Sequence, residues 1–183
     1  MASTPFFFQQ IKNNDFVRAY AANMFVSANT DIRQKKFASG IIRYYRTIEF
    51  IAQFRLAKYN IPTGKDLTRR THLNRILTKD VRSGYRKLCN RKDPNKINGL
   101  MEGHILLYIL GNSPYENIKE LEELRKITSN SRNNLNIIHG VSTGENNYQS
   151  IQKITEEILH RVFDNFSSYI TCFDRIKLQE FFG

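Results

Sequence analysis

The chain is poor in residues that anchor metals or disulfides. Its 183 residues include two cysteines, Cys89 and Cys172, and four histidines. The cysteines form no metal or redox spacing, which points to a reducing, cytoplasmic setting. No cluster of His, Cys, Asp or Glu has ligand spacing, so neither a metal nor another cofactor is expected. A Gly-rich phosphate loop, a His-Glu-x-x-His pair, internal repeats and convincing strands are also lacking. No apolar run approaches the ~18 residues that a membrane span needs. Met1–Gln10 has no basic stretch followed by a long apolar core, so no signal peptide is expected there. Acids are scarce as well: 17 Asp and Glu face 28 Lys and Arg, a net charge of +11. That excess favours an anionic partner, RNA first among them, although a basic soluble protein can have none.

Apolar residues make up 40% of the sequence, with 13 Phe and 9 Tyr. This is globular composition, and the length suits one domain over residues 1–183. Phe6-Phe7-Phe8 lies in an N-terminal arm, residues 1–14. From Asp15, Phe16, Val17, Tyr20, Ala21, Met24 and Phe25 recur at helical spacing, and Asn29-Thr30-Asp31 reads as a turn. The strongest pattern runs from Ile32 to Tyr59. One stripe is Phe37, Ile41, Tyr44, Ile48 and Ile51; a second is Ile42, Tyr45, Glu49, Ala52 and Leu56. Two apolar stripes predict a largely buried helix. Glu49 then needs a partner, either a structural arginine or a catalytic group that it orients.

Residues 66–90 read as a basic helix weakened by Gly84. Arg69, Arg70, Arg75, Arg82 and Arg86 are its candidate RNA-backbone contacts; a merely solvated face fits equally well. His72 reads as a surface residue. Leu100–Leu110 is a short core helix enclosing His104 and ended by Gly111. Ser113-Pro114-Tyr115-Glu116 reads as a capping box that starts the next helix. A last helix begins near Tyr148 and carries Ile151, Ile154, Ile158, Val162, Phe166 and Tyr169; it either continues or breaks before Phe173. The fold class is all-α, a bundle of about five to six helices.

The chemistry concentrates in Ser129 to Gly140. Arg132 and His139 stand seven positions apart, about two helical turns. Ser129 and Asn136 extend the same row, beside an apolar row of Leu124, Ile127, Leu135 and Ile138. Arginine grips phosphate oxygens in a planar fork, and histidine moves protons near neutral pH. An Arg and a His on a helix are nevertheless common as solvated residues. Thr128 to Asn134 is poor helix material, so the helix continues, kinks or restarts before Arg132.

The string Arg-Asn-x5-His-Gly resembles the Arg-x4–6-His signature of HEPN ribonucleases, in which a polar residue often follows the arginine. Phe37–Leu56, with Tyr44-Tyr45-Arg46 and Glu49 to Leu56, is similar to the long helix in the HEPN half of CRISPR-associated CARF–HEPN ribonucleases. Gly103-His104 to Gly111 is similar to the short helix before their motif. The likeness spans about Asp15 to Gly144. It implies a HEPN-like bundle acting as a homodimer, with both Arg–His pairs meeting at the two-fold. It also implies metal-independent cleavage of single-stranded RNA to a 2′,3′-cyclic phosphate and a 5′-hydroxyl, in antiviral defence. Arg132 would hold the phosphate, His139 would move the proton and Asn133 would orient one of these groups, with Ser129, Asn136 and Glu49 in support. In those relatives a nucleotide-sensing CARF domain precedes the HEPN half. Here the helical pattern starts by Asp15, so the chain is expected to be an effector half or a protein that stands alone. Two alternatives remain: a HEPN toxin held by an antitoxin, and a catalytically silent helical module for RNA binding or dimerisation.

Overall fold

A computed structural model describes residues 13–68, 71–90, 92–137 and 148–182, with side chains described up to 129 and from 148 to 175. The Phe6–Phe8 arm lies outside the described residues. Among those described, every regular element is helical and there is no strand. The α-helices are α1 (Asn14–Arg33), α2 (Phe37–Lys58), α3 (Lys79–Leu88), α4 (Gly99–Ile109), α5 (Ile118–Ile137), α6 (Gln149–Val162) and α7 (Phe166–Phe182); a 3-10 turn, Thr71–Arg75, precedes α3. The seventh helix arises because the last helical pattern breaks at Phe163–Asn165, where Asn165 has φ +56°. The chain forms two compact units, one of residues 1–17 and 49–121, the other of 18–48 and 122–183.

Helix α1 begins in the first unit and continues in the second; it starts on Asn13, whose Oδ1 accepts from the N–H groups of Asp15 and Phe16 at 2.9 and 3.0 Å. This is a helix N-cap. Val17, Ala21 and Phe25 are buried, whereas Tyr20 is 40% exposed. The helix does not turn at Asn29-Thr30-Asp31 but runs on to Arg33. The polar side chains that suggest a turn are occupied elsewhere. Thr30 Oγ1 donates to Val26 O at 2.9 Å. Asn29 Oδ1 accepts from the hydroxyl of Tyr44 and, at 3.0 Å, from Gln152. Asp31 accepts from Ser39 at 2.6 Å and from Arg43 at 2.7 Å. The turn comes instead at Lys35, φ +60°. Just beyond it, Gly40 lets the two helices close. A Cβ there would stand 2.6 Å from Ile32 Cδ1 and 3.1 Å from Ala28 O.

The first stripe of α2 is buried from Ile41 to Ile51, and Phe37 is half-buried. The second is not: Ile42 is 46% exposed, Tyr45 and Glu49 are half-buried, and only Ala52 and Leu56 are enclosed. Phe25 meets the Tyr44 and Phe166 rings at 5.6 and 6.4 Å, and α6 packs on α7.

In the first unit, the expected single basic helix over 66–90 is a loop, the 3-10 turn and the shorter α3. Gly84 lies on the packed face between α3 and α4, where a Cβ would make only ordinary contact with Ile109, at 3.4 Å. Helix α4 is nearly enclosed; His104 is fully buried, edge-on to Tyr115 at 5.4 Å. The capping box falls four residues later than its sequence suggests. Ser113 Oγ accepts from Tyr115 N–H within a turn, whereas Asn117 Oδ1 caps α5 by accepting from Lys119 and Glu120 N–H at 3.0 and 3.2 Å. Glu120 reaches back to Glu116 N–H at 3.1 Å.

Asp31 links α1 to α2. Burial raises its carboxyl pKa, but the bonds from Ser39 and Arg43 outweigh this and hold it below the usual carboxylate value. A depressed folded-state pKa adds stability above the unfolded value that is lost as pH falls through the folded one. Asp31→Ala is therefore expected to cost ~1–3 kcal/mol at neutral pH. The gap from wild type should narrow as urea midpoints are followed below pH 4. A gap that stays constant across the acid limb would show that the carboxylate charge is not what matters.

Candidate functional site

The motif helix answers the question its poor propensity raises. α5 is continuous from Ile118 to Ile137 and carries the backbone of Arg132, Asn133 and Asn136 without a break. His139 and Gly140, and the side chains of Arg132, Asn133 and Asn136, lie outside the described residues. Up to Ser129 the packing of the helix is plain. Leu121, Leu124 and Thr128 are buried, Ile127 is half-buried, and Arg125 and Ser129 are exposed. Thr128 thus takes a place in the packed row that the sequence reading gave to Ile127. Its hydroxyl donates to Leu124 O at 2.8 Å and is also 3.2 Å from Arg125 O, so burying it leaves no lone donor. On this helix, position 132 comes one turn after Thr128, and Ser129 sits on the open flank.

Glu49 is half-buried, with Ile48, Phe50 and Ala52 enclosed around it. The same helix carries two further cations near its end. Burial pushes the Arg55 guanidinium down from its ordinary value, against the pull of Tyr59 and Tyr115. Burial, then the neighbouring Arg55, lowers Lys58, whose ammonium stands 4.4 Å from the Phe54 ring centroid. Both fit the negative end of the helix dipole.

The five basic candidates separate once the geometry is known. Arg69 and Arg70 lie outside the described residues. Arg82 is half-buried and donates from Nε to Leu77 O at 3.0 Å, tying down the start of α3. Arg86 faces Asp93 at 3.3 Å with both side chains about half exposed. Arg75 is exposed on the 3-10 turn, and His72 beside it is exposed as expected. His160 is exposed and meets Phe166 edge-on at 5.7 Å. No group of three or more His, Cys, Asp or Glu that could hold a metal occurs among the described residues. No described helix is long and apolar enough to cross a membrane.

An all-helical chain whose fifth helix leads into Arg-Asn-x5-His-Gly has the make-up of a HEPN protein. It belongs to the Csm6 HEPN domain family, whose model matches residues 10–162. No curated protein and no solved structure matches the chain. The matched span takes in α1 to α6 and the whole motif.

Glu49→Gln tests the supporting role of that residue. A half-buried carboxylate is screened more than a buried one, so the loss should be about 1 kcal/mol, not the ~3–5 of a broken buried pair. The readout is the urea midpoint beside the rate of RNA turnover. No change in either would leave Glu49 without a role in fold or site.

Proposed function

We propose that this HEPN domain is a metal-independent endoribonuclease for single-stranded RNA that works in CRISPR-linked antiviral defence as a homodimer. The observation that carries this reading is the Arg-Asn-x5-His-Gly motif inside a chain of the Csm6 HEPN family, entered by a continuous helix. In the proposed step the 2′-hydroxyl attacks the adjacent phosphorus as its proton passes to a base. The P–O5′ bond breaks, the 5′-oxygen receives a proton, and a 2′,3′-cyclic phosphate remains. Arg132 holds the scissile phosphate and stabilises its growing charge. His139 takes or gives the proton, and Asn133 orients one of these partners. One arginine and one histidine are few for a doubly charged transition state. An isologous two-fold contact brings in a second pair from the same sequence. If a CARF sensor domain accompanies it, this domain is the effector half.

Arg132→Ala and His139→Ala should each slow cleavage of labelled single-stranded RNA by ~100- to 1000-fold. Circular dichroism checks that each variant remains helical. Near-wild-type turnover in either folded variant would remove that residue from the mechanism and favour a silent RNA-binding or dimerisation module.

Cleavage is also expected to persist in EDTA, because the proposed roles use only an arginine, a histidine and the RNA's own 2′-hydroxyl. Activity lost to the chelator and regained with Mg2+ would point to a different mechanism.

A further inference from the structure

The positive charge of this chain is not spread evenly. Residues 65–96 hold 11 Lys and Arg against three acids, so eight of the eleven net charges fall within this stretch. The stretch is also a closed excursion of the chain. At its base, Gly64 N–H donates to Ile97 O at 2.8 Å and Leu67 N–H donates to Asn95 O at 2.7 Å. Leu67, Leu73, Leu77, Tyr85 and Ile97 are all buried beneath it. Thr78 caps α3 by accepting from Val81 N–H at 3.3 Å, and α3 packs on α4. The described cations of this stretch therefore stand on a fixed scaffold, not on a loose tail.

Some of that charge is consumed internally. Arg82 is bound to Leu77 O, Arg86 faces Asp93, and Lys92 faces Glu102 at 3.4 Å. Arg75, Lys79, Lys87 and Lys96 are exposed and make no ion pair among the described residues. Lys79 and Lys87 are eight residues apart on α3, about 12 Å along the axis, with exposed Ser83 between them.

The surface also says what it does not bind. A membrane-surface helix needs a free apolar face, and a protein interface needs an aromatic or aliphatic centre. The apolar residues of α3, Val81, Tyr85 and Leu88, are buried or half-buried. The large apolar side chains left exposed among the described residues are Tyr20 and Ile42, neither of which is in this stretch. Cations without apolar neighbours match a phosphodiester backbone, which is met by charge and carries no base information in these contacts.

We propose that Arg75, Lys79, Lys87 and Lys96 form a second contact for single-stranded RNA, gripping the phosphate backbone outside the step that is cut. This rests on RNA being the substrate, but it concerns a different stretch of the chain from the Arg132–His139 motif. It makes affinity depend on RNA length and salt, while a fragment spanning only the scissile step would not feel it.

The test measures binding of labelled 2′-O-methyl oligoribonucleotides, which cannot undergo the cleavage step, by fluorescence anisotropy between about 50 and 200 mM salt. Replacing all four residues by Gln should flatten the log–log salt slope for a long oligonucleotide by about 3, at ~0.7 per phosphate contact on a single strand. Wild type would then lose ~50-fold more affinity than the variant across that range. If the quadruple variant melts below wild type, Lys79→Gln and Lys87→Gln singly should each lower the slope by ~0.7. An unchanged slope overturns the second contact, and wild-type cleavage of a short RNA would still uphold the nuclease. A flattened slope in a protein that cuts no RNA upholds the contact and sinks the nuclease. Wild type that binds anionic lipid vesicles and ignores oligonucleotides would overturn the choice of partner.

Discussion

The motif depends on keeping α5 wound through a stretch that does not favour a helix. Thr128, Ser129, Asn130, Ser131, Asn133 and Asn134 each cost up to ~0.5 kcal/mol relative to alanine, about 3 kcal/mol together. Upstream, Leu121 and Leu124 are buried, and each contributes ~1.5–3 kcal/mol. The two effects are of similar size, with burial ahead. Packing of the first half of the helix therefore sets the course of the second, and Asn117 fixes where the winding begins. Thr128 shows how a weak helix former is accommodated: it is enclosed, and its hydroxyl turns back onto the carbonyls of the preceding turn.

Where packing follows periodicity, the fold was legible in the sequence. The row Ile41, Tyr44, Ile48 and Ile51 is buried throughout because every member is apolar and in phase. The second row fails at Ile42 because nothing in a periodic pattern says whether a neighbour covers that end of the helix. Local polar signals misled more than apolar ones. Asn29-Thr30-Asp31 has the composition of a turn, but its side chains are taken by Tyr44, Gln152, Ser39, Arg43 and a backbone carbonyl. Partners as distant as Gln152 cannot be read from a window of a few residues. Ser113 and Asn117 are both good caps, and the choice between them lies in the backbone of the loop.

The site was legible to a different depth. Spacing put Arg132 and Asn136 on one helical row, and the continuous α5 is the condition that this needed. Glu49 was read as enclosed because it sits among apolar residues in sequence. It is half-buried because its row emerges towards Ile42. In the basic stretch, charge was visible in the sequence but its use was not.

That last distinction follows from the chemistry of the two cations. Guanidinium groups are planar, weakly hydrated and rich in directed donors, so they settle into fixed internal contacts more readily than ammonium groups do. Four of the described arginines behave accordingly, although Arg75 stays exposed. Arg33 meets Asp174 at 2.9 Å, Arg43 meets Asp31 at 2.7 Å, Arg82 meets Leu77 O, and the Arg18 guanidinium lies 5.2 Å from the Tyr169 ring centroid. Each joins one part of a unit to another or closes a turn. Lys79, Lys87 and Lys96 keep their charge in solvent. Net charge read from composition counts both kinds alike, whereas an anionic partner meets only the second. A basic sequence thus becomes a binding surface only after its structural arginines are set aside. In this chain Lys79, Lys87 and Lys96 fall on one stretch that is pinned at its base and held on a buried apolar floor, whereas Lys35, Lys119 and Lys126 are exposed one by one elsewhere.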